Sequence, residues 1–214
     1  MDAKRYFVPT PHGEVSLVFA AKPRDRVVLV IHGAGRRAFQ LRGWLDLDVV
    51  FAELPGHDLA PMMTGDVAEY ARAFNAAVEY VWPDLALTVV GESFGGIVAL
   101  HMRAHRKVLI DPPMQPTSAV FREIQQGYVA PWLWPALIVD HWRLLDVQER
   151  PVEAVCASCS ILPPDAIKRL GEHPKVRLNV VQGGHVLMDD NPADIARILA
   201  GQEQQNNAAG TANT

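Results

Sequence analysis

Short apolar runs alternate along the chain with stretches where apolar residues recur every three or four positions. "EVSLVFA" (14–20) alternates with period two after Gly13 and predicts a half-buried strand. "RVVLVIHG" (26–33) is continuously apolar until glycine ends it, the pattern of a strand covered on both faces. "DVVFAEL" (48–54), "ALTVVGE" (86–92) and "KVLIDPP" (107–113) repeat that pattern, and "VEAVCAS" (152–158) and "VRLNVVQGG" (176–184) complete the set. Between them, residues 66–82 carry Val67, Tyr70, Ala71, Phe74, Ala77, Val78 and Val81 as a helical stripe, with Asp66 placed to cap it. A second helix is expected over 94–105, with His105 and Arg106 near its end, where the macrodipole favours cations. A third is expected over 191–201, from Pro192 at its start to Gly201 just past its end.

Strands alternating with helices predict an α/β fold: a mainly parallel sheet of about seven or eight strands with helices on both faces. One insertion breaks the rhythm. Residues 112–150 contain "YVAPWLWPALIVDHW", with Trp132, Trp134 and Trp142, and Pro131 and Pro135 rule out one long helix there. The insertion reads as a small helical lid over the strand ends. Trp132 and Trp134, with Leu133, Leu137 and Ile138, are expected to cover a pocket and give it an apolar wall. Residues 1–201 read as a single domain, and 202–214, polar and aperiodic, as a disordered tail.

Composition narrows the class. The 214 residues are 49% apolar and 21% charged, ordinary for a globular domain. Twenty Lys and Arg against 24 Asp and Glu give a net charge of −4, with no long basic run, which argues against nucleic acid or an anionic membrane as partner. The N-terminal stretch has no apolar segment of the signal-peptide kind, and no run reaches the roughly 18 apolar residues of a transmembrane helix. The expected location is the cytoplasm. Cys156 and Cys159 form a lone C-x-x-C, too little for a zinc site. Their segment reads as a strand leaving the core, so both are expected to be buried thiols rather than a redox pair.

The chemistry gathers around Ser93. Gly91-Glu92-Ser93-Phe94-Gly95 matches G-x-S-x-G between an expected strand and an expected helix. In that context the pattern makes a nucleophile elbow, a strained turn that lifts the hydroxyl above the sheet while the new helix aims N–H groups at a developing oxyanion. A serine hydroxyl needs an adjacent base to react near neutral pH. Of the eight histidines, His185 in "QGGH" follows the last expected strand.

With "HGAG" (32–35) and "GGHVLMDDNP" (183–192) added to the elbow, the chain resembles the α/β-hydrolase fold superfamily up to about Gly201. "ELPGHD" (53–58) resembles the family's D-x-P-G-H-G segment, from which Glu53 and Asp58 depart. The resemblance implies that Ser93 is the nucleophile and His185 the base, with oxyanion donors at the backbone N–H groups of Phe94 and Ala34. It gives His32 and His57 structural roles. It implies hydrolysis of small esters or thioesters through an acyl-enzyme, with no metal or organic cofactor and a small acyl substrate. The same scaffold also hosts acyl transfer, C–C bond hydrolysis and non-catalytic or weakly catalytic binding proteins. Arg36 and Arg37 follow "HGAG" and read as solvated residues, or as contacts to an anionic substrate group.

The triad acid stays open between readings. Most of the family carries it after the strand expected at 152–158, where this chain has "ASCSILPPD" with Ser160 near the usual position. Asp165 comes late, after two prolines, where a helix N-cap explains it. Some members carry the acid one strand earlier, at the place of Asp111 in "LIDPP", although an aspartate there is often structural. The expectation adopted is Asp111, with Asp165 or no acid as alternatives.

Overall fold

The computed structural model describes residues 3–40, 44, 48–63 and 66–201. The expected tail at 202–214 lies outside the described residues. Eight strands form one sheet: β1 (Lys4–Thr10), β2 (Gly13–Phe19), β3 (Arg26–Ile31), β4 (Val49–Ala52), β5 (Ala86–Glu92), β6 (Arg106–Ile110), β7 (Val152–Cys159) and β8 (Val176–Gly184). Their spatial order is β1-β2-β4-β3-β5-β6-β7-β8. Strands β4 to β8 and β3 run parallel, and β2 pairs antiparallel with both β1 and β4. The hairpin β1–β2 is joined by a short turn at residues 11–12, which antiparallel pairing allows.

The apolar strands sit where covered strands belong. On β5, Val89 faces one side of the sheet and joins Phe74 and Ile97, while Val90 faces the other and joins Ile195 and Val108. Each fully buried Val, Leu or Phe contributes about 1.5–3 kcal/mol relative to an exposed one, so the strand faces supply much of the fold's driving force. The first side is covered by α1 (Val67–Val81) and α2 (Phe94–His101). Asp66 caps α1 as expected, its side chain accepting from the Glu69 N–H. On the other side lie α7 (Leu187–Asp190) and α8 (Pro192–Leu199). Asn191 caps α8, and Gly201 beyond its end has φ 78°.

Two helix expectations need correction. Helix α2 ends at His101 rather than 105, because Met102 turns extended to lead the chain into β6. Arg106 therefore begins β6 and pairs with both carboxylate oxygens of Glu153 at 2.7 Å. Asp165 is not an N-cap. The helix α6 (Pro164–Glu172) is capped by Pro163 without a side-chain bond, and Asp165 stands exposed in its first turn. Cys159 also departs from expectation: Cys156 is buried, but Cys159 is exposed at the end of β7, just past an irregularity in its pairing with β8.

The insertion between β6 and β7 holds α3 (Ser118–Gln125), a short 3₁₀ turn at Pro131–Leu133, α4 (Trp134–Leu137) and α5 (Arg143–Asp146). The prolines start short helices here instead of interrupting a long one.

Candidate functional site

Register puts the site together. Glu92, the last residue of β5, pairs with Ile110, the last of β6, so Ser93 and Asp111 emerge side by side at the carboxyl edge of the sheet. The Ser93 N–H donates to the Ile110 carbonyl at 2.8 Å, and the Asp111 N–H to the Val155 carbonyl at 2.8 Å. Both residues have positive φ, 50° and 46°, a strained backbone for a side chain other than glycine's. The strain at Ser93 survives because its neighbours permit a sharp turn. A Cβ on Gly91 would lie 2.2 Å from the Gly95 carbonyl oxygen, and one on Gly95 would lie 2.2 Å from that of Ile31. Both positions are closed to any larger residue.

His185 lies between the two. Its Nε2 is 2.9 Å from Ser93 Oγ and its Nδ1 is 2.6 Å from Asp111 Oδ2. With Asp111 an acceptor, the network assigns the proton to Nδ1 and leaves Nε2 free to accept from the serine hydroxyl. Asp111 is fully buried, and its other oxygen accepts from Ser160 Oγ at 2.6 Å and from the Ala157 N–H at 3.2 Å. Ser160 thus stands where the resemblance would put an acid and instead orients the aspartate from the neighbouring strand. Asp165 has no part in this cluster. Burial, with the Asp111 charge adding to it, pushes the nearby Cys156 thiol up to about 12, so Cys156 is an inert packing group at neutral pH.

The segment 33–36 crosses above Ser93 and is pinned by two histidines. His32 donates from Nδ1 to the Gly33 carbonyl at 2.8 Å and accepts the Leu54 N–H on Nε2 at 3.1 Å. His57 accepts the Gly35 N–H on Nε2 at 3.2 Å and donates to the Pro55 carbonyl. Each ring must be neutral to both donate and accept. Burial keeps them so, holding His32 down at about 3 and lowering His57 as well. Among the described residues, the Ala34 and Phe94 N–H groups donate to no protein acceptor. Ala34 lines the cavity above Ser93, and Phe94 opens α2 directly after it. Glu53 and Asp58, the two departures from D-x-P-G-H-G, both engage Arg5 of β1, and Asp58 takes φ 49° where the resembled segment has glycine.

The cavity above Ser93 measures about 270 Å³. The sheet edge contributes Ala34, Arg36, Glu92, Ser93 and His185 to it, and the insertion contributes Val120, Glu123, Tyr128, Val129 and Leu137. Of the lid residues expected to cover it, only Leu137 does so. Trp132 donates its indole N–H to the Pro55 carbonyl, and Trp134 donates to the Val129 carbonyl; neither lines this cavity. Trp132 borders a second cavity of about 450 Å³ between the insertion and the start of α1. Apolar composition alone does not tell which of two cavities a tryptophan faces. Arg36 is likewise not solvated: its side chain is 16% exposed and engages Asp189 and Glu92, whereas that of Arg37 is 62% exposed. Among the described residues no group of three His, Cys, Asp or Glu side chains is arranged to hold a metal ion, and no helix is long and apolar enough to cross a membrane.

The family model described as "Alpha/beta hydrolase family" matches residues 27–169. No curated protein matches the sequence. Solved structures match over nearly its whole length. An N-acyl homoserine lactonase bound to N-hexanoyl homoserine is 13% identical, with a TM-score of 0.76 over 99% of this chain and 100% of that one. An esterase from Thermogutta terrifontis is 17% identical, with a TM-score of 0.69 over 92% and 97%. A carboxylesterase from Bacillus subtilis is 14% identical, with a TM-score of 0.73 over 94% and 91%. At these identities the likeness concerns the fold alone.

Proposed function

This chain belongs to the alpha/beta hydrolase family, and on that premise we propose that it is a serine hydrolase of small esters or thioesters. The observation that carries the proposal is the unbroken line from Ser93 Oγ to His185 Nε2 at 2.9 Å and from His185 Nδ1 to Asp111 Oδ2 at 2.6 Å. In this reading Ser93 Oγ attacks the carbonyl carbon as its proton passes to His185 Nε2. The carbonyl oxygen, now an oxyanion, accepts from the Ala34 and Phe94 N–H groups. Each such donor is worth about 10²–10³ in rate, because it points at charge that appears only in the transition state. The tetrahedral intermediate expels the alcohol or thiol, which takes the proton from His185. Water then attacks the acyl-enzyme, gives its proton to His185 and releases the acid, and Ser93 recovers its hydrogen. Asp111 stabilises the imidazolium formed in both halves.

A cavity of about 270 Å³ lies at the small end of ligand sites, which suits a short acyl group. Structural neighbours named as esterases and a lactonase are in keeping with ester substrates. The carboxylate of Asp111 beside His185 favours this reading over the rival one, a non-catalytic binding protein, which has no need of a charge there. The test is a panel of p-nitrophenyl esters and acyl thioesters of increasing chain length. Turnover of short esters that disappears in Ser93→Ala supports the proposal; equal turnover in both proteins defeats it.

A further inference from the structure

Three groups at the site have no part in that mechanism: Arg36, Glu92 and Asp189. Arg36 closes the turn around Ala34, its N–H donating to the Gly33 carbonyl at 3.1 Å. Its guanidinium forks onto Asp189, with distances of 2.8 and 3.1 Å to the two oxygens. Its Nε lies 3.2 Å from Glu92 Oε2. Asp189 belongs to α7, directly after the loop that carries His185, and Glu92 immediately precedes Ser93. One side chain therefore touches all three segments that hold the reacting groups. Glu92 is 1% exposed, and no side chain makes a hydrogen bond to either of its carboxylate oxygens. Such a group is costly unless a charge stands beside it, and Arg36 is that charge. Burial raises the Glu92 carboxyl above its usual range, while Arg36 and His185 pull it back down. A role for Arg36 in gripping a substrate carboxylate fits poorly, because Asp189 already occupies its fork.

We propose that Arg36 is a positioning residue: by holding Asp189 and Glu92 together, it locks the turn carrying the Ala34 N–H against the segments carrying Ser93 and His185. The proposal rests on the serine-hydrolase reading. Arginine suits the task because its planar fork engages two oxygens while Nε remains for a third group; a lysine ammonium is a single point. Losing the lock displaces an oxyanion donor without removing it, and a misplacement near 1 Å can cost about 10²-fold.

The experiment compares the wild type with Arg36→Lys and Asp189→Asn, each calibrated by counting sites that a fluorophosphonate labels. The Asp189 side chain is 52% exposed, so the second variant tests the lock without disturbing packing. In both variants kcat per labelled site is expected to fall by about tenfold to 10²-fold, with KM changed by less than about threefold. Affinity for a trifluoromethyl ketone, which forms an oxyanion on Ser93, should fall by the same factor as kcat/KM. The double variant should be no worse than Arg36→Lys alone, since the Arg36–Asp189 contact that Asp189→Asn breaks is already lost in it. A purely structural role would lower thermal stability and leave both per-site readouts at wild-type values, and that result overturns the proposal alone. A wild type that takes no label at Ser93 overturns the serine-hydrolase reading and the proposal with it.

Discussion

The carboxyl edge of the sheet and the insertion above it are built on different physics. At the edge, polar contacts hold each group from several directions. Asp111 accepts from His185, Ser160 and the Ala157 backbone, and two neutral histidines pin the segment 33–35. The insertion is held mainly by apolar packing of short helices, with Leu133, Leu137, Trp142 and Leu145 buried beneath it. It leaves Phe121, Tyr128, Trp132 and Trp134 partly exposed. Hydrogen-bond geometry is sharp, whereas apolar contact is tolerant. The edge is thus suited to chemistry, where small displacements are costly, and the insertion to choosing among substrates by shape.

The largest break in that contrast should come from Asp111→Asn. The amide can no longer accept from His185 while balancing its charge, so kcat should fall by at least about 10² and as much as about 10⁴. Circular dichroism and the melting midpoint would check that folding survives. Activity within a few-fold of wild type would mean that His185 needs no acid, and that the ordered edge is not where the chemistry resides.

Acid should loosen the edge next. His32 is held down at about 3 and His57 is lowered, both chiefly by burial. The unfolded chain takes up protons on these residues near 6.5, and the folded chain resists doing so until lower pH. Their contribution to stability is complete above 6.5 and is lost as pH falls below it, for His32 down to about 3. Glu53 and Glu92, raised by burial, act in the opposite sense, because protonating them relieves a cost of folding. With two further histidines, His101 and His141, also lowered, the histidine effect should prevail. Urea midpoints measured across this range should fall with acid, and a flat profile would count against the neutral latches.

Graded effects are expected in the insertion. Leu137→Ala enlarges the cavity above Ser93 and should change the ratio of kcat/KM between butyl and acetyl esters by about tenfold, the scale of a lost apolar contact. Trp134→Ala, off the cavity, should change all chain lengths alike. If Trp134 instead shifts the chain-length preference more than Leu137 does, the insertion moves during turnover and the geometry of the specificity wall needs revision. The smallest effect belongs to Asp165→Asn. This exposed first-turn charge is worth about 0.3–1 kcal/mol to α6, and its loss should alter kcat by less than about threefold.

The same contrast explains how much could be read from the chain. Strands β3 and β5 were plain as continuous apolar runs, and α1 as a stripe with its cap. The strand β1 was not, because "KRYFVPT" buries only Val8, and Pro9 is tolerated there on an edge. Ser93 and His185 are legible as candidates through local motifs and the resemblance they support, and the fold brings them within 2.9 Å of each other. That Asp111 rather than Asp165 lies beside His185 depends on the pairing of β5 with β6, a long-range register that no local pattern reports. The engagement of Arg36 with Asp189 spans 153 positions, and nothing near either residue announces it. In the insertion, hydrophobicity told which residues are apolar but not which cavity they border.

The most direct measurement of the central claim is the mass of the intact protein after treatment with a fluorophosphonate, followed by location of the adduct. A covalent nucleophile at Ser93, activated by His185, predicts a single adduct on the peptide containing Ser93. It also predicts slow labelling in His185→Ala and none in Ser93→Ala. An adduct on another residue, or a Ser93→Ala protein that labels as fast as the wild type, would contradict it.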